Sequence, residues 1–151
     1  MIVAEHSRRL LPGLWAGGLL CVALLATPVP FALLAQADAG RVVARMLALE
    51  AYTSLALGIV LLVLERVVAR RAAASGAGSQ FTVGMVLAVG AGFCTVAGYF
   101  AVQPLMPAAR VGQGALSFGQ LHLVSAVFFV LKGLLVLALA WRALTPTRNS
   151  A

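Results

Sequence analysis

The sequence predicts an all-α polytopic membrane protein, a bundle of four transmembrane helices. Three observations carry that reading. First, 62% of the chain is hydrophobic and only 10% is charged, at a mean hydropathy of +1.03. A soluble domain of this size has too little interior to hide so much apolar surface. Second, the apolar residues gather into four runs, each near or above the ~20 residues that a helix needs to cross a bilayer. Third, the net charge of +7 comes from basic residues that sit mostly between those runs. That placement is the pattern of topology signals, so the expected partner is the lipid bilayer and not nucleic acid.

The first run extends from Leu10 to Leu34. Ser7-Arg8-Arg9-Leu10-Leu11 resembles a twin-arginine export signal, and Ala35-Gln36-Ala37 a signal-peptidase site. The run is longer than the ~7–15 residues of a signal-peptide core, and three more follow it, so we read it as a retained helix. Gly13, Gly17 and Cys21 recur every four residues and predict a face for close helix contact. Pro28 and Pro30 predict a kink or an end. Asp38 is placed to cap the second helix, whose first turns, residues 40–45, are amphipathic and belong in or above the interface. Its spanning part is Met46 to Val68, with Glu50, Ser54, Gly58, Leu61 and Glu65 along one stripe.

Residues 69–80 are small, polar and basic, a flexible loop. The third helix is Phe81 to Val102. Gly84, Ala88 and Gly92 give it a small-residue face, continued by Thr95 and Tyr99, and Gln103-Pro104 ends it. We expect this face to make it the central packing helix, with Gly92 intolerant of bulk. The loop that follows has room for a short interfacial helix. The fourth helix, residues 119–142, ends near Trp141, an interfacial anchor, and residues 143–151 read as a flexible tail. With four spans, Arg8, Arg9, Arg66, Arg70, Arg71, Arg142 and Arg148 share one side, against Arg41, Arg45 and Arg110 on the other. The basic excess places both termini in the cytoplasm of an inner membrane.

Polar residues inside the runs are the candidate site. Lys132 sits at the centre of the fourth helix, where a charge costs about 2.5–3.5 kcal/mol on the insertion scale. Glu50, Tyr99, Gln103, His122 and Ser125 all fall toward the outer ends of their helices, with Thr27 at similar depth. Intramembrane ionisable groups face the bundle interior and pair, and Glu50 is expected to pair with His122 or with Arg45 or Arg110. Such a network locks helices together through hydrogen bonds of about 0.6–2 kcal/mol each, which is the main reading. The alternative is a soft metal site of copper type from His122, Met46 and Met106, although their spacing is no recognised motif. His122 is the sole histidine in the predicted spans, which disfavours haem. No nucleophile–base pair, zinc motif or phosphate loop is visible, so neither enzyme nor cofactor is expected.

Five stretches together carry a resemblance: Leu14-Trp15-Ala16-Gly17-Gly18; Thr27-Pro28-Val29-Pro30-Phe31; Ala39-Gly40-Arg41; Ala97-Gly98-Tyr99-Phe100 with Gln103-Pro104-Leu105-Met106; and Leu121-His122-Leu123-Val124-Ser125. In this order, over residues 11–141, the chain resembles the bacterial membrane family called domain of unknown function 4149, which is related to the transmembrane protein 205 group. Pro30 departs from that family's Pro-x-Leu-Phe. The resemblance implies a four-helix membrane protein and brings no reaction, cofactor or catalytic residue. The expected role is association, through helix–helix contact, with a second copy or another membrane protein. A transporter or metal-handling subunit built on the outer polar cluster is the alternative.

Overall fold

The computed structural model describes residues 2–76 and 78–145. It is built from helices: α1 (Ile2–Cys21), α2 (Pro28–Leu33), α3 (Gln36–Ala74), α4 (Val83–Thr95), α5 (Met106–Arg110) and α6 (Phe118–Leu144). A π-helical turn, Val22–Ala26, joins α1 to α2, and a second, Val96–Phe100, follows α4 before a short 3₁₀ turn leads to α5. The chain thus forms four columns, each long and apolar enough to cross a membrane. Neighbours in sequence are neighbours in space, and α6 closes the ring by packing on α1 as well as α4. This leaves α3 and α6 on one diagonal of the bundle and α1 and α4 on the other.

The two π turns have one cause. Pro28 and Pro104 lack an N–H, and their rings crowd the carbonyls four residues earlier, so an α-helix cannot continue through them unchanged. Each column widens by one residue just beforehand: the Thr27 N–H donates to the Val22 carbonyl at 2.9 Å, and the Ala101 N–H to the Val96 carbonyl at 2.9 Å. The Thr27 hydroxyl adds a 2.7 Å bond to the same Val22 carbonyl. Both widened turns lie at the end of the bundle away from the chain termini, called the far end below.

α3 is longer than the sequence predicts. It runs unbroken from Gln36 to Ala74, about 58 Å at 1.5 Å per residue, so the amphipathic first turns are part of the same rod as the span. Its buried residues include Ser54, Gly58, Leu61, Glu65 and Ala69, the inward stripe read from the sequence and one step more. α6 starts on a capping box: the Gln120 N–H donates to the Ser117 hydroxyl at 3.3 Å, and the Ser117 N–H to the Gln120 side chain at 2.9 Å. Residues 146–151, with Arg148 and most of the expected tail, lie outside the described residues.

The core is a cluster of Trp15, Ala16, Leu19, Leu61, Ala91 and Val136. Trp15 packs over Gly58, where a Cβ would stand 3.5 Å from the far edge of the indole, at ordinary van der Waals contact. The small-residue faces need correction. α4 buries Gly84, Ala88, Ala91 and Thr95, with Gly98 continuing the line. It does not bury Gly92, whose Cβ would meet nothing within 4 Å. A strict four-residue step drifts about 40° around a 3.6-residue helix each time, so two steps carry Gly92 off the contact line that Ala91 keeps. The same drift applies on α1. Gly13 and Gly17 are exposed with open space above them, as is Cys21, and Pro12, Trp15, Ala16 and Leu19 face inward instead.

Candidate functional site

Lys132 and Glu50 form a buried ion pair across the α3–α6 diagonal. The ammonium lies 2.7 Å and 2.8 Å from the two carboxylate oxygens, and the side chains are 4% and 9% exposed. The Ser54 hydroxyl donates to the same carboxylate, and the Trp15 indole N–H donates to Ser54 at 2.9 Å. The Phe129 ring sits 4.8 Å from the lysine nitrogen and adds a cation–π contact. α1, α3 and α6 are therefore tied in one layer by a polar chain from Trp15 to Ser54, Glu50 and Lys132. Among the described residues no buried side-chain polar atom is left without a partner.

This pairing differs from the expected Glu50–His122 contact, and the reason is depth. Glu50 stands fourteen residues along from Gln36, and Lys132 fourteen along from Phe118. Both helices start at the far end, so both charges lie about 21 Å in along the helix. Reading the span from Met46 had put Glu50 near the helix end. His122 is only one turn into α6, where its ring stacks on Phe118 with centroids 6.1 Å apart. On the ring's other contact, the Arg110 guanidinium lies 5.0 Å from the Phe118 centroid.

Above the ion pair, toward the far end, is a cavity of about 330 Å³. All six polar candidates line it: Glu50, Tyr99, Gln103, His122, Ser125 and Lys132. Its floor is the ion pair with Cys94 and Thr95, its walls are Val43, Leu47, Phe129 and Val130, and exposed residues at its mouth include Phe31, Arg110, Phe118 and His122. Both π turns border it through Ala23 and through Gly98 and Tyr99. Ligand cavities fall in roughly this size class, about 300–1,000 Å³, with apolar walls and a few polar groups. Below the floor Trp15, Leu61 and Val136 fill the bundle, so the cavity has a closed end.

Met106 and His122 stand on the cavity wall, whereas Met46 does not. Among the described residues no three His, Cys, Asp or Glu side chains come together as a metal set. The cysteines are free, Cys94 buried at the floor and Cys21 exposed on α1.

A second polar knot at the termini end escaped the sequence reading. Arg8 reaches Glu65 at 3.0 Å and Glu5 at 3.0 Å, Arg9 reaches Glu5 at 3.1 Å, and the Thr82 hydroxyl donates to Glu65 at 2.8 Å. The same Thr82 oxygen caps α4 by accepting from the Met85 N–H. Gly84 lies beside it, and a Cβ there would stand 2.6 Å from a Glu65 carboxylate oxygen, so that Glu65 would have to shift away from its place between Arg8 and Thr82. The signal was available, since Glu65 shares its stripe with Glu50; nothing in the chain marked Arg8 or Thr82 as its partner.

Fold and site together define a class: a small helical-bundle membrane protein with a cavity closed at one end over a buried ion pair. The chain belongs to the family described as a domain of unknown function, number 4149, which matches residues 10–115. That match takes in α3 with Glu50 and stops before α6, so Lys132, His122 and the fifth resembling stretch lie beyond it. No curated protein and no solved structure matches the chain.

Proposed function

We propose that the protein is an inner-membrane binding protein that takes a lipophilic monoanion, such as a medium-chain carboxylate, into the far-end cavity. The observation that carries this reading is the convergence of six dispersed polar side chains on one apolar-walled space. Charge selects the ligand class. Lys132 and Arg110 line the cavity against Glu50 alone among the carboxylates, which leaves one positive charge to be matched. The apolar walls suit the tail of such a ligand, and the Arg110 guanidinium at the mouth, which no carboxylate in the cavity offsets, suits its head. A buried ion pair is weak evidence for stability, because apolar residues of similar volume fill such a place as well or better. Keeping one here at the desolvation cost favours a role in recognition.

The chain's plan also supports a binding site at this position. Each half runs as a helix, a π turn, a proline-bearing short helix and a long return helix. The return helices present Glu50 and Lys132 at matching depth toward the shared axis. Membrane proteins built from such repeats place their sites at the repeat interface near mid-membrane. With both termini cytoplasmic, as the arginine distribution favours, the cavity opens to the external side.

The test is ligand binding to purified full-length protein in nanodiscs, with a fluorescent medium-chain fatty acid as the probe. Ala126 lines the cavity, whereas Val127 faces outward. Ala126→Trp is expected to abolish saturable binding, and Val127→Trp to leave it intact, with both variants folded by circular dichroism. Absent saturable binding in the wild type, or equal effects of the two variants, would overturn the reading.

A second reading is supported by α1. Its Gly13, Gly17 and Cys21 face is open and apolar, and such faces let two helices approach closely. On this reading the protein acts by association with a second copy or with another membrane protein.

A further inference from the structure

The far-end cavity has a counterpart at the termini end, a cleft of about 180 Å³ between α1, α3 and α6. Arg8 and Arg9 of α1 and Arg142 of α6 converge on it, with Glu65 at one side. Its inner wall is apolar, made by Pro12, Leu61 and Leu139. The geometry points to a binding site for one singly charged phosphate group, independent of the far-end cavity.

Charge and donor geometry both lead there. Glu5 and Glu65 hold Arg8 and Arg9 in place, so the two carboxylates offset two of the three guanidiniums. The Arg142 side chain makes no hydrogen bond or ion pair among the described residues, which leaves one positive charge unmatched. A phosphodiester carries one negative charge, and its oxygens suit the planar fork of a guanidinium. Arg8 is already oriented by its carboxylates, so little rotamer freedom is lost when a phosphate docks beside it. The level is also right for a headgroup. Trp141, next to Arg142, is exposed, as are Leu10 beside Arg9 and Leu144 beyond Arg142. An aromatic ring of this kind sits at the boundary between hydrocarbon and headgroups. The phosphate therefore comes either from an anionic lipid or from solution, and the apolar flanks favour the lipid.

The experiment is native mass spectrometry of the full-length protein released from membranes holding equal phosphatidylglycerol and phosphatidylcholine. The wild type is expected to retain phosphatidylglycerol over phosphatidylcholine by about fivefold, the factor one basic residue near an anionic surface contributes. Arg142→Gln is expected to bring the ratio to near one, whereas Arg70→Gln, an exposed arginine outside the cleft, leaves it unchanged. Because the Arg142 side chain makes no hydrogen bond or ion pair among the described residues, its variant keeps the fold, which far-UV circular dichroism checks. In a second arm, delipidated protein is heated in inorganic phosphate or in chloride of equal ionic strength. Stabilisation by phosphate in the wild type but not in Arg142→Gln, with no lipid preference, keeps the phosphate site and assigns a soluble source. No lipid preference together with no phosphate-specific stabilisation overturns the site. Equal losses in Arg142→Gln and Arg70→Gln would also overturn it, since they would show a diffuse basic surface.

Discussion

At the scale of single residues, the decisive fact is that each charge inside the bundle has a named partner. Glu50 answers Lys132 across the diagonal, and Glu65 answers Arg8 at the termini end. Removing one member of a buried pair leaves the other charged and unpaired, at a cost of about 3–5 kcal/mol. Lys132→Met and Glu50→Gln should therefore each lower the melting temperature of the purified protein sharply. Because the two side chains reach toward each other from matching depths, exchanging them (Glu50→Lys with Lys132→Glu) should recover much of the loss. A double-mutant cycle on thermal stability checks this, and additive losses with no recovery would show that the pair is not coupled. A cycle between Glu50 and His122 should show no such coupling, since the imidazole stacks on Phe118 instead.

At the scale of elements, the glycines divide into those that admit a neighbour and those that face open space. Gly98 lies in the second π turn against α6, and a Cβ there would come within 2.4 Å of the Phe128 Cβ. Gly92, two turns earlier, has nothing within 4 Å. Overpacking of this kind costs about 1–3 kcal/mol. Gly98→Ala should lower thermal stability clearly, and Gly92→Ala should leave it unchanged or slightly improved, because alanine favours the helix. Gly17→Leu on α1 should likewise leave the monomer's stability intact. If the open α1 face associates with another helix, that variant should instead dissolve the oligomer seen by cross-linking in membranes. Equal sensitivity at Gly98 and Gly92 would mean that α4 is rotated relative to the contacts described here.

At the scale of the whole molecule, the bundle has two unlike ends. The termini end gathers Arg8, Arg9, Arg66, Arg70, Arg71 and Arg142 around Glu5 and Glu65, while the far end carries Arg41, Arg45 and Arg110 beside Asp38. Basic residues close to span ends set orientation, whereas acidic ones contribute little. Reporter fusions after Gly78 and at the C-terminus should therefore both read cytoplasmic. A cysteine introduced at Gln113 in the far-end loop should react with a membrane-impermeant thiol reagent added to intact spheroplasts. A periplasmic signal from either fusion would invert the bundle and turn the cavity mouth toward the cytoplasm.

Much of this protein was legible in its sequence, and the legible part has a common physical basis. Hydropathy and run length specify four helices, since a backbone in hydrocarbon must satisfy its hydrogen bonds within each segment. The family was legible from ordered short stretches, and the inward stripe of α3 from its helical period. Five of the six polar candidates, all but Lys132, could be gathered toward one end of the bundle because helix direction alternates once the spans are counted. What the sequence left open depends on rotation and depth, to which hydropathy is nearly blind. A run boundary near Met46 hid the true start of α3 at Gln36, and that shift of ten residues moved Glu50 from the level of His122 to that of Lys132. The inward side of α4 passes through Ala91 and not Gly92, a choice that a stripe of small residues does not fix. Only the tertiary structure decided these, because a buried charge takes the partner at its own depth across the bundle, and packing sets both depth and rotation.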